Sequence, residues 1–274
     1  MRNLKRTLSL ALASVMLVGM MSVGASAVNA SDFTDADEIV NKDAVSTMTA
    51  LGIINGKEDG SYFDPTGNVT RAEMAKMLCV AINGGVDPVL GVKDTPTFTD
   101  IKGTWAESYI EYCAANGIIA GRGNNKFDPT GTVSATEAAK MLLGVLGYSA
   151  EKSGLVGNDW AINTNVLANQ NGLYKKLANL NANTLLTRDN AAQMIYNALD
   201  ANMVELNAAG NYTTSQYSYT GTESVVTGTE RVWVVKIKDS SVNDAIKALD
   251  GSVYNSRQDA IDTLKEANGG TTPL

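Results

Sequence analysis

Phe63-Asp64-Pro65-Thr66-Gly67, followed past Asn68 and Val69 by Thr70-Arg71-Ala72-Glu73, is answered further along the chain. There Phe127-Asp128-Pro129-Thr130-Gly131 leads, past Thr132 and Val133, into Ser134-Ala135-Thr136-Glu137. Working outward, Phe33-Thr34-Asp35 returns as Phe98-Thr99-Asp100, Gly52-Ile53-Ile54 as Gly117-Ile118-Ile119, and Gly56 as Gly121. Matches that keep one offset, apart from a single deletion, mark an internal repeat, which decides the architecture before any local structure is assigned. A third, worn copy follows. Trp160 stands where Trp105 stands, Asn171-Gly172-Leu173 matches Asn116-Gly117-Ile118, and Thr187-Arg188-Asp189-Asn190 runs into Ala191. This copy has neither the Phe-Thr-Asp opening nor the Phe-Asp-Pro turn. Three such units can bury jointly an apolar face that none buries alone.

Each unit reads as two helices joined by a loop. Thr70 with Glu73 forms a capping box ahead of Met74, Met77, Leu78 and Ala81, one apolar stripe at helical spacing. Ser134 and Glu137 repeat it before Ala138, Met141, Leu142 and Val145, and Thr187 precedes Ala191, Met194, Ile195 and Ala198. The first helices are expected over 37–51, 106–116 and 161–171, stopped by Gly52, Gly117 and Gly172 where a left-handed C-terminal residue belongs. Gly60-Ser61, Asp64-Pro65 and Asn124-Asn125 mark tight loops, and 84–97 and 149–158 read as linkers. The fold class is therefore mainly α, three helix-loop-helix repeats over 33–83, 98–147 and 156–205. A small α/β or irregular segment of unknown role follows over 206–274. In it Arg231-Val232-Trp233-Val234-Val235-Lys236-Ile237-Lys238 is a plausible strand, and Ser241-x-x-Asp244 and Ser256-x-x-Asp259 resemble helix starts.

Composition excludes much chemistry. A chain of 274 residues without a single histidine cannot run imidazole-based hydrolysis, and two cysteines cannot build a four-thiolate metal site. A net charge of -7 argues against nucleic acid, whose phosphates call for a basic face. Arg2, Lys5 and Arg6, an uncharged apolar run from Leu8 to Val23, and Ala25-Ser26-Ala27 have the form of a secretory signal peptide over 1–27. A cut after Ala30 is a second option, and no membrane association is expected after cleavage. Asn55 to Gly60 resembles a calcium loop only superficially, because Lys57 occupies a carboxylate position. No metal, cofactor or catalytic residue is expected. Cys79 aligns with Leu143 and Cys113 with Met48, so both read as small apolar core residues, with a disulfide between them as the lesser alternative.

The Phe-Thr-Asp opening, Trp105, the Gly-Ile-Ile-x-Gly run, Phe-x-Pro and Thr-Arg-Ala-Glu resemble the S-layer homology family over about residues 33 to 205. The resemblance implies a pseudo-threefold spindle of three helical units. It also implies binding of an anionic, often pyruvate-bearing, secondary cell-wall polysaccharide at the cell surface. The family's binding arginine falls on Arg71, where free N–H groups at a helix start would add to the attraction of an anion and a guanidinium could grip a carboxylate twice. Arg188 fills the same slot in copy three, whereas Ala135 departs from it in copy two and implies a weak groove there. Trp105 and Trp160 sit where the family places an aromatic near the sugar; Val40, aligned with them, suggests that an aliphatic chain can fill the space. Gly52 and Gly117 are helix caps first, with close approach of a ligand second. The expected function is non-enzymatic anchoring to the wall. A self-assembling surface-layer protein and the tether of a surface hydrolase active in the tail are the alternatives. An outer-membrane tether is not expected unless the chain is truncated, because the tail is too short for even an eight-stranded barrel.

Overall fold

A computed structural model describes residues 29–83, 85–177, 180–181 and 183–206. Beyond these it describes 210–214, 220–227, 230–237, 244–248, 252–254 and a few positions after them. The signal-peptide segment and the helix start at Ser256 lie outside the described residues. The chain divides into two compact units, Met1–Ala201 and Asn202–Leu274.

Among the described residues the first holds six α-helices: α1 (Lys42–Ala50), α2 (Arg71–Ile82), α3 (Glu107–Ala115), α4 (Ala135–Val145), α5 (Trp160–Gln170) and α6 (Arg188–Leu199). Thr70 and Ser134 cap α2 and α4 through full capping boxes with Glu73 and Glu137. Thr187 caps α6 by accepting from the Asn190 N–H, with no carboxylate to complete the box. The first helices stop at the expected glycines. Gly52, Gly117 and Gly172 have φ of 69°, 71° and 70°. At each, the next residue donates back five positions, Ile53 to Met48, Ile118 to Cys113 and Leu173 to Ala168, the paired bonding that closes a helix end.

Helix α1 begins later than the expected 37–51. A 3-10 turn covers Ala36–Glu38, buried Ile39 is extended, and the Asn41 N–H and side-chain amide both donate to Asp189. The neighbouring unit thus sets where the first helix starts.

Three hydrogen bonds close the repeats into a ring. Val69 N–H donates to Leu186 O at 2.9 Å, Leu186 to Val133 at 2.8 Å, and Val133 back to Val69 at 2.9 Å. The three side chains are fully buried, so this triangle forms the hydrophobic axis of the spindle. Around it the second helix of each unit packs on the first helix of the next: α2 on α3, α4 on α5, and α6 on α1. The order is cyclic, which makes the arrangement pseudo-threefold. No described helix is long and apolar enough to cross a membrane.

In the second unit, β1 (Val204–Leu206) pairs antiparallel with β2 (Tyr212–Thr214). β3 (Thr220–Thr227) pairs with β4 (Glu230–Ile237), which also takes β5 (Val253–Tyr254), and a short helix α7 (Asp244–Lys247) intervenes. The strand expected at 231–238 is therefore β4, shifted by one residue.

Candidate functional site

The repeat motifs meet first within each unit and then across the unit junctions. In unit 1 the Asp35 carboxylate accepts the backbone N–H groups of Phe63 and Asp64 at 2.9 and 2.7 Å. Asp100 does the same for Phe127 and Asp128 at 2.8 Å each. This explains why Phe-Thr-Asp and Phe-Asp-Pro travel together: the first motif holds the second in shape. The held turn needs it, since Asp64 and Asp128 stand at φ 60° and 61°, a left-handed conformation that costs a non-glycine residue energy. Burial works against the Asp100 carboxylate, but the two N–H donors outweigh it and hold its pKa below the ordinary aspartate value.

The arginine of each preceding unit then docks on that turn. Arg71 Nε donates to the Phe127 carbonyl at 2.7 Å, and its Nη2 to Ala120, the variable position of Gly-Ile-Ile-x-Gly, at 2.6 Å. Its guanidinium lies 4.3 Å from the Phe127 ring centroid. Arg188 repeats the geometry on unit 1, with Nε on Phe63 O at 2.8 Å, Nη2 on Asn55 O at 2.7 Å and the Phe63 ring at 5.0 Å. Both arginines are buried, 3% and 7% exposed. Burial pulls the pKa of Arg71 down to about 10, opposed by Glu137, so it remains a cation at neutral pH.

This corrects two grounds for assigning Arg71 to an anion. The N–H groups at the start of α2 are already taken, Arg71 by Gly131 O at 2.8 Å, Ala72 by Pro129 O at 3.0 Å and Glu73 by the Thr70 hydroxyl at 3.2 Å. The paired Nε and Nη2 edge of the guanidinium faces carbonyls, not solvent. What remains is Nη1, 3.5 Å from the next unit's capping Glu137. Outside it, Arg122 holds Glu137 through two bonds of 2.9 and 2.8 Å and reaches Asp128 at 2.6 Å. At the Arg188 junction the aligned Lys57 pairs with Asp64, and Arg188 has no ion pair among the described residues. That cation is the less covered of the two.

The tryptophans occupy a different part of the junctions. Trp105 is 60% exposed and meets Tyr109 edge-on at 6.3 Å. Lys76 of α2 lies over the Tyr109 ring at 5.3 Å, and Asp87 ties both together, 3.0 Å from Lys76 and 2.6 Å from the Tyr109 hydroxyl. The stretch containing Asp87, read as a linker, is thus pinned to the junction. Trp160 is half-buried beneath Lys140 of α4, 5.2 Å from its ring. The expectation drawn from Val40 fails: it is 83% exposed and fills no space that a tryptophan fills elsewhere. Nor is the exposed Trp105 a core residue.

The two glycines separate as well. A Cβ on Gly52 would meet the Gly85 carbonyl at 2.9 Å, whereas the space above Gly117 is open and leaves room for a ligand. No group of metal-binding side chains occurs among the described residues. Sequence reasoning placed the arginines but missed their partners, Phe127 with Ala120 and Phe63 with Asn55. The signal lay in the cyclic order, since Ala135 is followed by the unit that lacks the turn.

Comparison with known proteins agrees with this architecture. The S-layer homology domain matches residues 32–75 and 97–139. An S-layer protein of Bacillus licheniformis is 30% identical over 113 residues, 41% of this chain and 12% of its own length. A cell surface protein of Thermoanaerobacter kivui is 28% identical over 207 residues, 75% of this chain and 26% of its own. Exoglucanase XynX of Acetivibrio thermocellus is 28% identical over 156 residues, covering 53% and 14%. The chain therefore spans a minor part of the length of these relatives. Residues 32–75 and 97–139 are thus tandem S-layer homology units, and these units together with the S-layer and cell surface relatives indicate a place at the bacterial cell wall or cell surface.

Proposed function

We propose that the three-unit spindle is a non-catalytic anchor that holds an exported protein to the wall by binding an anionic, pyruvate-bearing wall polysaccharide. The observation that carries this reading is the fixed cation at two junctions. Carbonyls of the next unit hold Arg71 and Arg188 by Nε and Nη2, so neither guanidinium has to be ordered when a carboxylate arrives at Nη1. The Arg188 junction is the better candidate because no ion pair covers it. Exposed Trp105 and the open face of Gly117 offer an apolar plate and a close approach for a pyranose ring. Each contact is weak, and a repeating polymer over several junctions supplies avidity. The net negative charge does not forbid this, since repulsion is screened beyond about 8 Å at physiological salt.

The test is co-sedimentation of the mature chain with native sacculi and with sacculi stripped of secondary polymer by acid. Binding should vanish on stripping. Trp105→Ala should weaken it without moving the melting temperature, because that side chain supports no core. Equal retention on stripped walls sinks the reading. Lattice contact between copies is a second reading, favoured by Ile162 and Val166, exposed one turn apart on α5. Ordered arrays forming without any wall component would select it.

A further inference from the structure

The chain has two cysteines, and the fold brings them together from different units. Cys79 lies on α2 and Cys113 on α3, the helix pair that joins unit 1 to unit 2, and both are fully buried. The Cys113 thiol donates to the Ala75 carbonyl at 3.5 Å, one helical turn before Cys79 on α2. Asn83 Nδ2 donates to the Cys79 sulfur at 3.7 Å. The neighbouring Cys79 thiol, and then burial, push the Cys113 thiol well above its ordinary pKa. The equivalent places at the other two junctions hold Leu143 with Ala168 and Tyr196 with Met48, pairs that cannot be cross-linked. Only the first junction carries a sulfur on each side.

We propose that Cys79 and Cys113 form a disulfide after export, a covalent staple between α2 and α3. The location of the protein supplies the condition, because disulfides persist outside the reducing cytosol. In the reaction each thiol gives up one proton and one electron and a single Sγ–Sγ bond forms. The acceptor is a disulfide, of an extracytoplasmic oxidoreductase or of a small thiol compound, which is cleaved and leaves as two thiols. Exchange requires a thiolate that can be reached. Both sulfurs are buried in the folded junction, so exchange takes place before α2 and α3 close, and closure then shields the bond from reduction.

The test uses the full chain recovered after export, unfolded in denaturant with an alkylating reagent and weighed intact. No alkyl group should be added without prior reduction, and two after it. The melting temperature should fall by on the order of 10 °C when reductant is added. The Cys79→Ala/Cys113→Ala double variant should melt at one temperature with or without reductant. Two alkyl groups on the unreduced protein, or a disulfide-linked dimer, would overturn the proposal.

Discussion

The junction between units 1 and 2 and the junction between units 2 and 3 differ at several positions at once. The first has Asp100 gripping the Phe127 turn, Arg71 docked on that turn, and the capping Glu137 facing Arg71. The second has none of the counterparts. Ala135 replaces the arginine, the Phe-Asp-Pro turn and its aspartate are missing from unit 3, and Asn190 replaces the capping glutamate. Physics makes these one loss rather than four. A buried arginine without the turn's carbonyls would be an unpaired charge in a low-dielectric place. A turn without its aspartate would leave two N–H groups unheld, and a glutamate without the arginine keeps only its capping role. Meanwhile the backbone bond that each junction shares persists, Ala135 N–H to Thr184 O at 2.9 Å beside Arg71 N–H to Gly131 O at 2.8 Å. The axis is thus maintained by backbone, and the outer seam is a side-chain assembly that can be discarded as a set. The second seam is closed by a different set, Thr136 with Asn165 and the Tyr174 hydroxyl on Asn165 at 2.6 Å.

The comparison breaks first if the arginine can be restored alone. Ala135 is 1% exposed, and Ala135→Arg should cost about 3–4 kcal/mol through overpacking and an unpartnered guanidinium. A melting point that stays or rises in the variant would show that the arginine does not depend on the turn. Next comes the reverse deletion. Arg71→Ala and Arg188→Ala each leave one buried and one part-buried carbonyl without a donor and remove a cation from an aromatic face. The loss should be about 2–3 kcal/mol, or roughly 5–10 °C in melting temperature by thermal unfolding. Equal stability of Arg71→Ala and the parent would mean that the guanidinium is held for its ligand and contributes nothing to the seam.

The helices, their caps and their glycine stops could be read from the chain because each is a local pattern: a hydroxyl three residues before a carboxylate, or a glycine at the end of an apolar stripe. The ring could not. Arg71 and Phe127 look unrelated in a linear reading, since no periodicity announces that a helix start in one copy is the partner of a turn in the next. The same holds for Asn41 and Asp189, which shorten the first helix from opposite ends of the repeat region. Aligning copies compares equivalent positions, so it led Val40 to be read as filling a tryptophan's space, when neither Val40 nor Trp105 is enclosed. What was missing was contact between non-equivalent positions.

A smaller effect isolates the first step of the assembly. Asp100→Asn keeps the shape and removes the charge that accepts from Phe127 and Asp128, and should cost about 1–2 kcal/mol at neutral pH. Because the folded pKa of Asp100 lies below the ordinary value of 3.8, its stabilisation is complete above that value and is lost as pH falls through the folded pKa. The gap between parent and variant in denaturant melts should therefore be full at pH 7 and close progressively below about pH 4. A gap independent of pH would show that the carboxylate's charge plays no part in holding the turn.

The smallest effect asks whether the third unit lost its glutamate because of the arginine or because of the cap. Thr187 already accepts from the Asn190 N–H, and the half-buried Asn190 lacks the carboxylate that would reach back to the Thr187 N–H. Asn190→Glu supplies that second bond and places a negative charge at a positive helix end, both favourable whatever the neighbouring unit holds. If glutamate there serves mainly as a cap, the variant should gain about 0.5 kcal/mol, visible as a rise of roughly 1–2 °C. If its role in units 1 and 2 is to face an arginine, the gain should be absent beside Ala135, since the desolvation of a carboxylate with no cation in front of it offsets the cap. Glu73 and Glu137 then belong to the seam as much as to their own helices, and unit 3 had no reason to keep theirs once Ala135 was in place.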